Sequence, residues 1–145
     1  MGEMMAGTGE VARFVPGMCA EETIVVTIEQ TAAHAGNDPD VLVFSTPHML
    51  ILIEHACGLA IKPALTPDER LVGTAVTMRH LGATPVGERV TARSTLIEVE
   101  DNRVVFDVTV GNEHAPVGEA RMEFRVIDLP RFQRGLARAR RQAAG

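Results

Sequence analysis

Residues 46–62 are apolar at almost every position and carry one acidic residue, Glu54, in the middle of the run. Thr46 is a good helix cap and Pro47 suits the first helical position, so a helix is predicted to begin here. Apolar residues cover nearly every face, which is typical of a helix buried on most sides. A carboxylate in such a helix is costly unless it is paired, hydrogen-bonded or protonated. Glu54 is therefore a candidate functional residue.

The composition indicates one globular domain and excludes several classes of protein. The chain of 145 residues is long enough for a single core, with 46% apolar and 23% charged residues. It has no Trp, no Tyr and only five Phe, which argues against a base-stacking surface, so no nucleic-acid partner is expected. The apolar run at residues 49–53 is too short to span a bilayer, and no signal-peptide pattern is present. No membrane association is expected.

Cysteine and histidine usage sets the expected compartment and chemistry. Only Cys19 and Cys57 are present, so no disulfide scaffold is predicted and a reducing, cytoplasmic location is expected. The histidines show no metal-ligand spacing, and neither a metal nor a cofactor is expected; they lie at positions 34, 48, 55, 80 and 114.

The remaining pattern is that of a sheet. Residues 23–29 are rich in β-branched side chains and predict a first strand ahead of the helix. Four strand-like stretches follow the helix and are joined by short turns, at residues 71–81, 88–100, 103–112 and 117–128. They predict an antiparallel meander. The fold class is therefore α+β, with one central apolar helix wrapped by a curved antiparallel sheet whose exposed edge favours pairing with a second copy.

The two ends of the chain differ from its centre. Residues 1–22 are assigned to a partly disordered N-terminal segment, residues 23–128 to the domain, and residues 129–145 to a basic tail. The last fifteen residues hold five arginines and no acid, whereas residues 1–130 hold nine basic and 19 acidic side chains, a net charge of −10. Four of these arginines fall on one helical face. The tail is either a contact for an anionic ligand such as a phosphate or a solvated basic segment.

Three blocks resemble the hotdog-fold acyl-CoA thioesterases, the family of fluoroacetyl-CoA thioesterase. Residues 43–57 read VFSTPHM…IEHAC and are similar to the family's VFATP…LMExAC. Residues 73–87 read GTAVTMRHLGATPVG and are similar to GTxxxxxHxAATPxG. A weaker block covers residues 23–36, and the spacing between the blocks also fits. The resemblance extends over residues 23–128 and implies a hotdog fold.

The resemblance implies hydrolysis of an acyl-CoA thioester to a carboxylic acid and CoA, with Thr46, Glu54 and His80 as catalytic residues. These residue types suit the reaction, which needs a nucleophile or an oriented water, a base, and a donor to the developing oxyanion. The resemblance also implies a substrate contact from the backbone of Gly73. Phe44 in the first block, and Arg125 beside the place of a family arginine in the last strand, are further candidate substrate contacts.

Structural interpretations stand beside these assignments. Thr46 is also a plausible helix cap, Glu54 a partly exposed or interface residue, and His80 a structural one. Gly73 also fits a strand bulge. The alternative function is a non-catalytic acyl-CoA-binding hotdog protein, and a hydratase or dehydratase is a third hypothesis.

The resemblance implies an oligomer, either a homodimer or a dimer of dimers, acting on an acyl-CoA of modest chain length. Fluoroacetyl-CoA thioesterase carries aromatic residues that cover its acyl group in the segment before the first block. Residues 36–42 of this chain contain no aromatic side chain. Selectivity for a fluoroacetyl group is therefore not predicted.

Overall fold

One five-stranded antiparallel sheet packs against one long helix. The computed structural model describes residues 13–36 and 38–145, so the disorder expected for residues 1–10 lies outside the described residues. The elements in chain order are β1 Cys19–Val25, α1 Thr46–Ile61, β2 Glu69–His80, β3 Arg89–Glu100, β4 Arg103–Asn112, β5 Pro116–Asp128 and α2 Leu129–Ala144. The predicted α+β class, with a sheet around a central helix, is confirmed. Among the described residues, no helix combines the length and the apolar character that crossing a membrane requires.

The strand order is β1-β3-β4-β5-β2, which corrects part of the predicted meander. β3, β4 and β5 do form a meander, and Asp101, with a φ of 54°, makes the tight turn between β3 and β4. β2 instead pairs with β5, so residues 81–88 carry the chain from one side of the sheet to the other. β2 and β3 are adjacent in the sequence, which suggested that they pair with each other. β2 instead pairs with β5 along nearly its whole length. β1 and β2 are left as the two edges.

The first strand lies earlier than predicted. β1 ends at Val25, and Val26 then donates its backbone N–H to the carbonyl of Glu88. The chain continues into a short 3-10 helix, Ile28–Gln30, which Thr27 caps together with the Gln30 side chain. The capping pattern of Thr27 and Gln30 thus overrides the β-branched composition. β1 also starts before the domain boundary that was expected after residue 22.

Helix α1 buries one face against the sheet and exposes the other, so the expected burial on most sides is not met within a single chain. Its buried residues follow helical spacing and are Met49, Leu52, Ile53, Ala56, Cys57, Ala60 and Ile61. The opposite stripe contains Ile51, Glu54 and Leu59, all exposed in the single chain. Ser94 in β3 anchors the middle of the helix by donating its hydroxyl to the carbonyl of Ala56 at 2.7 Å.

The N-terminal end of the described chain is anchored to the domain, whereas the C-terminal helix is not. Phe14 is buried, and Arg13 beside it forms two hydrogen bonds with the carboxylate of Glu69, at 2.6 and 3.1 Å. The basic tail forms α2, which Asp128 caps through the backbone N–H of Arg131. No residue of α2 is buried, so the helix packs little against the sheet.

Candidate active site

The start of α1 is fixed by the segment that precedes it. Phe44 donates its backbone N–H to the carbonyl of Thr84, and Ser45 donates its N–H to the carbonyl of Gln30. Ser45, not Thr46, is the helix cap, because the Ser45 hydroxyl accepts the backbone N–H of His48 at 3.2 Å. Thr46 is the first residue of the helix, and its hydroxyl is free for another partner.

That partner is His80. The hydroxyl oxygen of Thr46 lies 2.9 Å from Nδ1 of His80, the last residue of β2. Thr46 is exposed and His80 is half-buried, so the pair stands at the surface, where a ligand can reach it. The structure thus brings together two of the three predicted catalytic residues. A hydroxyl hydrogen-bonded to an imidazole is the minimum unit of an activated nucleophile or of an activated water site.

The surroundings of His80 favour its neutral form. Burial lowers the pKa of His80 from its ordinary value of 6.5, and a backbone hydrogen bond with Gly82 partly opposes that shift. A neutral imidazole can accept a proton through the nitrogen that carries none. The histidine is therefore held in the form that a general base requires.

Glu54 does not join this pair within one chain. It lies eight residues after Thr46 on the same helix, about 12 Å further along the axis at a rise of 1.5 Å per residue. Glu54 lines a separate cavity of about 430 Å³, together with Leu50 and the strand segment around Gly73. Its carboxylate is exposed, which corrects the expectation of a buried acid that must be compensated.

Gly73 lies at a β-bulge in β2. The register with β5 shifts between Gly73 and Ala75, so that Thr74 has no direct partner. A Cβ atom at position 73 would lie 3.0 Å from the terminal methyl group of Met122. Glycine therefore suits a place where the strand closely approaches a core side chain. Gly73 also lines the cavity beside Glu54.

The two other candidate contacts lie away from the cavity. Phe44 is 1% exposed and fills the core below the helix start. Arg125 follows the buried Phe124 in β5, so strand alternation directs it to the outer face, where it donates to the side-chain oxygen of Asn102 at 2.9 Å. Arg125 also pairs in register with Val72, far along β2 from His80. Neither residue is placed to contact a ligand at the Thr46–His80 pair.

Sequence reasoning missed the role of Ser45 and His48. The hydroxyl of Ser45 lies 2.7 Å from Nδ1 of His48, and Ser45 is 1% exposed. The available signal was two consecutive cap-forming residues before a proline, of which only one can cap the helix. No cluster of potential metal ligands occurs in residues 13–36 and 38–145.

Comparison with known proteins supports the residue pattern. The sequence profile of the fluoroacetyl-CoA-specific thioesterases, FlK, matches residues 26–129. The fluoroacetyl-CoA thioesterase of Streptantibioticus cattleyicolor is 38% identical over 90 residues, which is 62% of this chain and 65% of that protein. The match thus spans slightly less than two thirds of the relative's length.

Two solved structures superpose over most of the chain. The fluoroacetyl-CoA thioesterase FlK is 30% identical with a TM-score of 0.80, covering 86% of this chain and 96% of that chain. A Thermus thermophilus hypothetical protein, described as a thioesterase superfamily member, is 27% identical with a TM-score of 0.82, covering 90% and 96%. The matched profile spans most of the domain and includes Thr46, Glu54, Gly73 and His80. The chain belongs to the family of fluoroacetyl-CoA-specific thioesterases.

Proposed function

We propose that this protein hydrolyses an acyl-CoA thioester to a carboxylic acid and CoA, with Thr46 and His80 at the reacting centre. The observation that carries the proposal is the 2.9 Å contact between the Thr46 hydroxyl and Nδ1 of His80. Family membership supports the reaction class, since the relatives are thioesterases.

In the proposed reaction, neutral His80 accepts the proton through Nδ1. The proton comes from the Thr46 hydroxyl, or from a water molecule that this hydroxyl orients, and the resulting oxygen attacks the thioester carbonyl. The developing oxyanion forms close to the N-terminus of α1, where the helix dipole and the backbone N–H of Thr46 favour negative charge. Collapse of the tetrahedral intermediate breaks the C–S bond and expels the CoA thiolate, which takes up the proton held by His80. Attack by water gives the carboxylic acid directly, whereas attack by Thr46 gives an acyl-Thr46 ester that a water molecule, deprotonated by His80, then hydrolyses to the acid.

Glu54 completes the site from a second copy of the chain. Within one chain the carboxylate is too far along α1 to share a ligand atom with Thr46. The exposed stripe of α1 carries Ile51 beside Glu54, and the β2 edge next to it exposes Val76. An apolar stripe beside an open strand edge is suited to a two-fold contact. Such a contact would place the Glu54 of one subunit near the Thr46–His80 pair of the other.

The assembly proposed is thus a homodimer, or a dimer of dimers, located in the cytoplasm. Cys19 and Cys57 are both free thiols, which fits a reducing compartment. The substrate is an acyl-CoA of modest chain length. Selectivity for a fluoroacetyl group is not part of the proposal, because residues 36–42 supply no aromatic side chain to cover it.

Thiol release from a series of acyl-CoAs tests the reaction. Hydrolysis of at least one member, with a loss of about 10²-fold or more in kcat for His80→Ala and for Glu54→Gln, is expected. If the parent protein hydrolyses none of the series but binds its members, the acyl-CoA-binding alternative is correct instead.

A mixed dimer tests the shared site. One subunit carries Thr46→Ala and His80→Ala, the other carries Glu54→Gln, and two different affinity tags isolate the heterodimer. If Glu54 acts across the interface, one of the two sites is intact and the heterodimer has roughly half of the parent activity. If all three residues act within one chain, both sites are defective and no activity returns. A monomer of 15.6 kDa in light scattering would also exclude the shared site.

A further inference from the structure

A second cavity runs along the C-terminal half of α1. Its volume is about 440 Å³, and its lining includes Glu54, Gly58, Leu59, Lys62, Arg70 and Leu71. Glu54 also lines the cavity beside Gly73, so the two spaces adjoin at this carboxylate. In the proposed dimer Glu54 lies near the Thr46–His80 pair of the other subunit, so the second cavity begins beside that reacting centre and leads away from it.

The charges of this cavity are separated along its length. Glu22 in β1 also lines it and pairs in register with Ala92. Ala92 lies two residues before Ser94, whose hydroxyl bonds to Ala56 of the helix. Glu22 is therefore level with the middle of α1, close to Glu54. Both carboxylates thus lie at the inner end of the cavity.

Two cations lie at the outer end. Lys62 follows the last residue of α1, about 12 Å from Glu54 along the helix axis, and Arg70 is the second residue of β2. The guanidinium of Arg70 is held by hydrogen bonds from Nη1 to the carbonyls of Pro67 and Glu69, both at 2.7 Å, which leaves its remaining N–H groups for a ligand. Lys62 is exposed and forms no ion pair in the described part of the chain.

We propose that this cavity binds the pantetheine arm of the acyl-CoA and that Lys62 and Arg70 bind its phosphates. The inference rests on the proposed function and names the part of the substrate that this cavity receives. Two cations do not strengthen the binding of an acyl chain that ends in a methyl group, whereas both can form charge-assisted hydrogen bonds with a diphosphate. At the acidic inner end, the carboxylate of Glu22 can accept hydrogen bonds from the amide N–H groups of the arm. Leu59 and Leu71 can pack against its methylene groups.

The arginines of α2 support an anion at this end of the molecule, although the chain as a whole has a net charge of −5. α2 begins beside the same end, where the backbone N–H of Leu129 donates to the carbonyl of Asp68. It adds five arginines and no acid, against a net charge of −10 for residues 1–130. α2 thus provides a local positive potential that attracts a polyanionic substrate to the outer end of the cavity.

The test compares two thioesters with the same acyl group, one on CoA and one on N-acetylcysteamine, which lacks the phosphates. Lys62→Gln combined with Arg70→Gln should raise KM for the acyl-CoA by about 10-fold or more, because two charge contacts with the phosphates are lost. The kcat for the acyl-CoA, and both constants for the N-acetylcysteamine thioester, should stay unchanged. Arg121→Gln is the matched control, because Arg121 lies on the outer face and pairs with Asp107.

A second variant tests the path of the arm. Gly58→Leu fills the cavity, and a Cβ at this helical position meets no atom within 4 Å, so folding should persist. It should raise KM for the acyl-CoA while Gly135→Leu, on α2, leaves it unchanged. An unchanged KM in Gly58→Leu, or equal losses for both thioesters in the Lys62/Arg70 variant, would overturn the proposal.

Calorimetric binding of CoA separates this proposal from the proposed function. If the parent protein hydrolyses neither thioester but the Lys62/Arg70 variant still binds CoA about 10-fold more weakly than the parent and the Arg121→Gln control, the phosphate site is supported and hydrolysis is excluded. If hydrolysis proceeds and the CoA affinity of that variant equals the parent's, the phosphate site is wrong and the hydrolase remains.

Discussion

Thr46 and His80 are 34 residues apart in the chain, yet the Thr46 hydroxyl lies 2.9 Å from Nδ1 of His80. The contact exists because Ser45 takes over the capping of α1. Had Thr46 been the cap, its hydroxyl would have faced the backbone N–H groups of its own helix. Ser45 thus stabilises the helix, and the hydroxyl of the adjacent Thr46 remains available to His80.

Thr46→Ala should therefore lower the rate, whereas Ser45→Ala should lower the stability. Thr46→Ala should lower kcat by about 10²-fold with little change in the free energy of unfolding, whereas Ser45→Ala should cost about 1 kcal/mol of stability through the lost cap. Thr46→Ser keeps the hydroxyl and should stay close to the parent in rate. Thiol release and urea titration provide the two measurements. A loss of about 1 kcal/mol in Thr46→Ala would show that Thr46 caps the helix after all.

The pH dependence of kcat/KM should reflect the neutral form of His80. Burial holds the pKa of this histidine below its ordinary value of 6.5. Protonation below that folded-state pKa removes the base, so activity should persist through pH 6.5 and fall only at more acidic pH. Rates from pH 4.5 to 8.5 on a substrate with stable hydrolysis kinetics would check this. An acid limb centred above pH 6.5 would contradict the role of the half-buried His80 as the base.

The two cysteines should differ sharply in reactivity. Cys19 is exposed, whereas Cys57 is fully buried and burial, aided by the nearby charge of Glu54, raises its pKa to about 12. The thiolate is the reactive form, so one equivalent of iodoacetamide should react with the folded protein at pH 8. Mass spectrometry should locate it on Cys19, and Cys19→Ser should abolish labelling. Denaturation should expose the second thiol, and labelling of Cys57 without denaturant would show that α1 opens.

Arg13 and Glu69 should contribute stability that acid removes. Hydrogen bonds from Arg13 lower the pKa of Glu69 from 4.5 to about 2. A depressed carboxyl pKa gives stability that is present above pH 4.5 and is lost as pH falls from about 4.5 towards 2. Glu69→Gln should lower the free energy of unfolding by about 1–3 kcal/mol at pH 7. Urea titrations at pH 7, 5 and 3.5 should show this difference shrinking at the lowest pH, whereas a constant difference would indicate a role in packing.

Deletion of residues 131–145 should leave the domain folded. No residue of α2 is buried, and Phe132 and Leu136 are 40% and 47% exposed. The Tm should stay nearly unchanged, and KM for an acyl-CoA should rise by no more than about tenfold, because exposed arginines contribute about 1 kcal/mol or less each. Calorimetry and steady-state rates measure both quantities. A large drop in Tm would show that α2 packs against the domain or a second copy.

Local sequence signals were sufficient for most elements. The apolar run at residues 46–62 and the strand-like stretches at residues 88–100 and 103–112 predicted the helix and two of the strands closely, because hydrophobic periodicity and turn residues act over short distances. The blocks around Thr46, Glu54 and His80 also predicted the reaction class. The same local signals could not show which of Ser45 and Thr46 caps the helix, since both residue types are favoured at that position.

The tertiary structure determined what depends on distant partners. Pairing of β2 with β5 placed His80 beside Thr46, a register that no local pattern encodes. Packing of α1 on the sheet turned Glu54 outward, because the buried stripe of a helix is selected by what it packs against. The sequence by itself thus determined the residues and their chemistry, and only the folded sheet decided that Thr46 meets His80 while Glu54 faces outward.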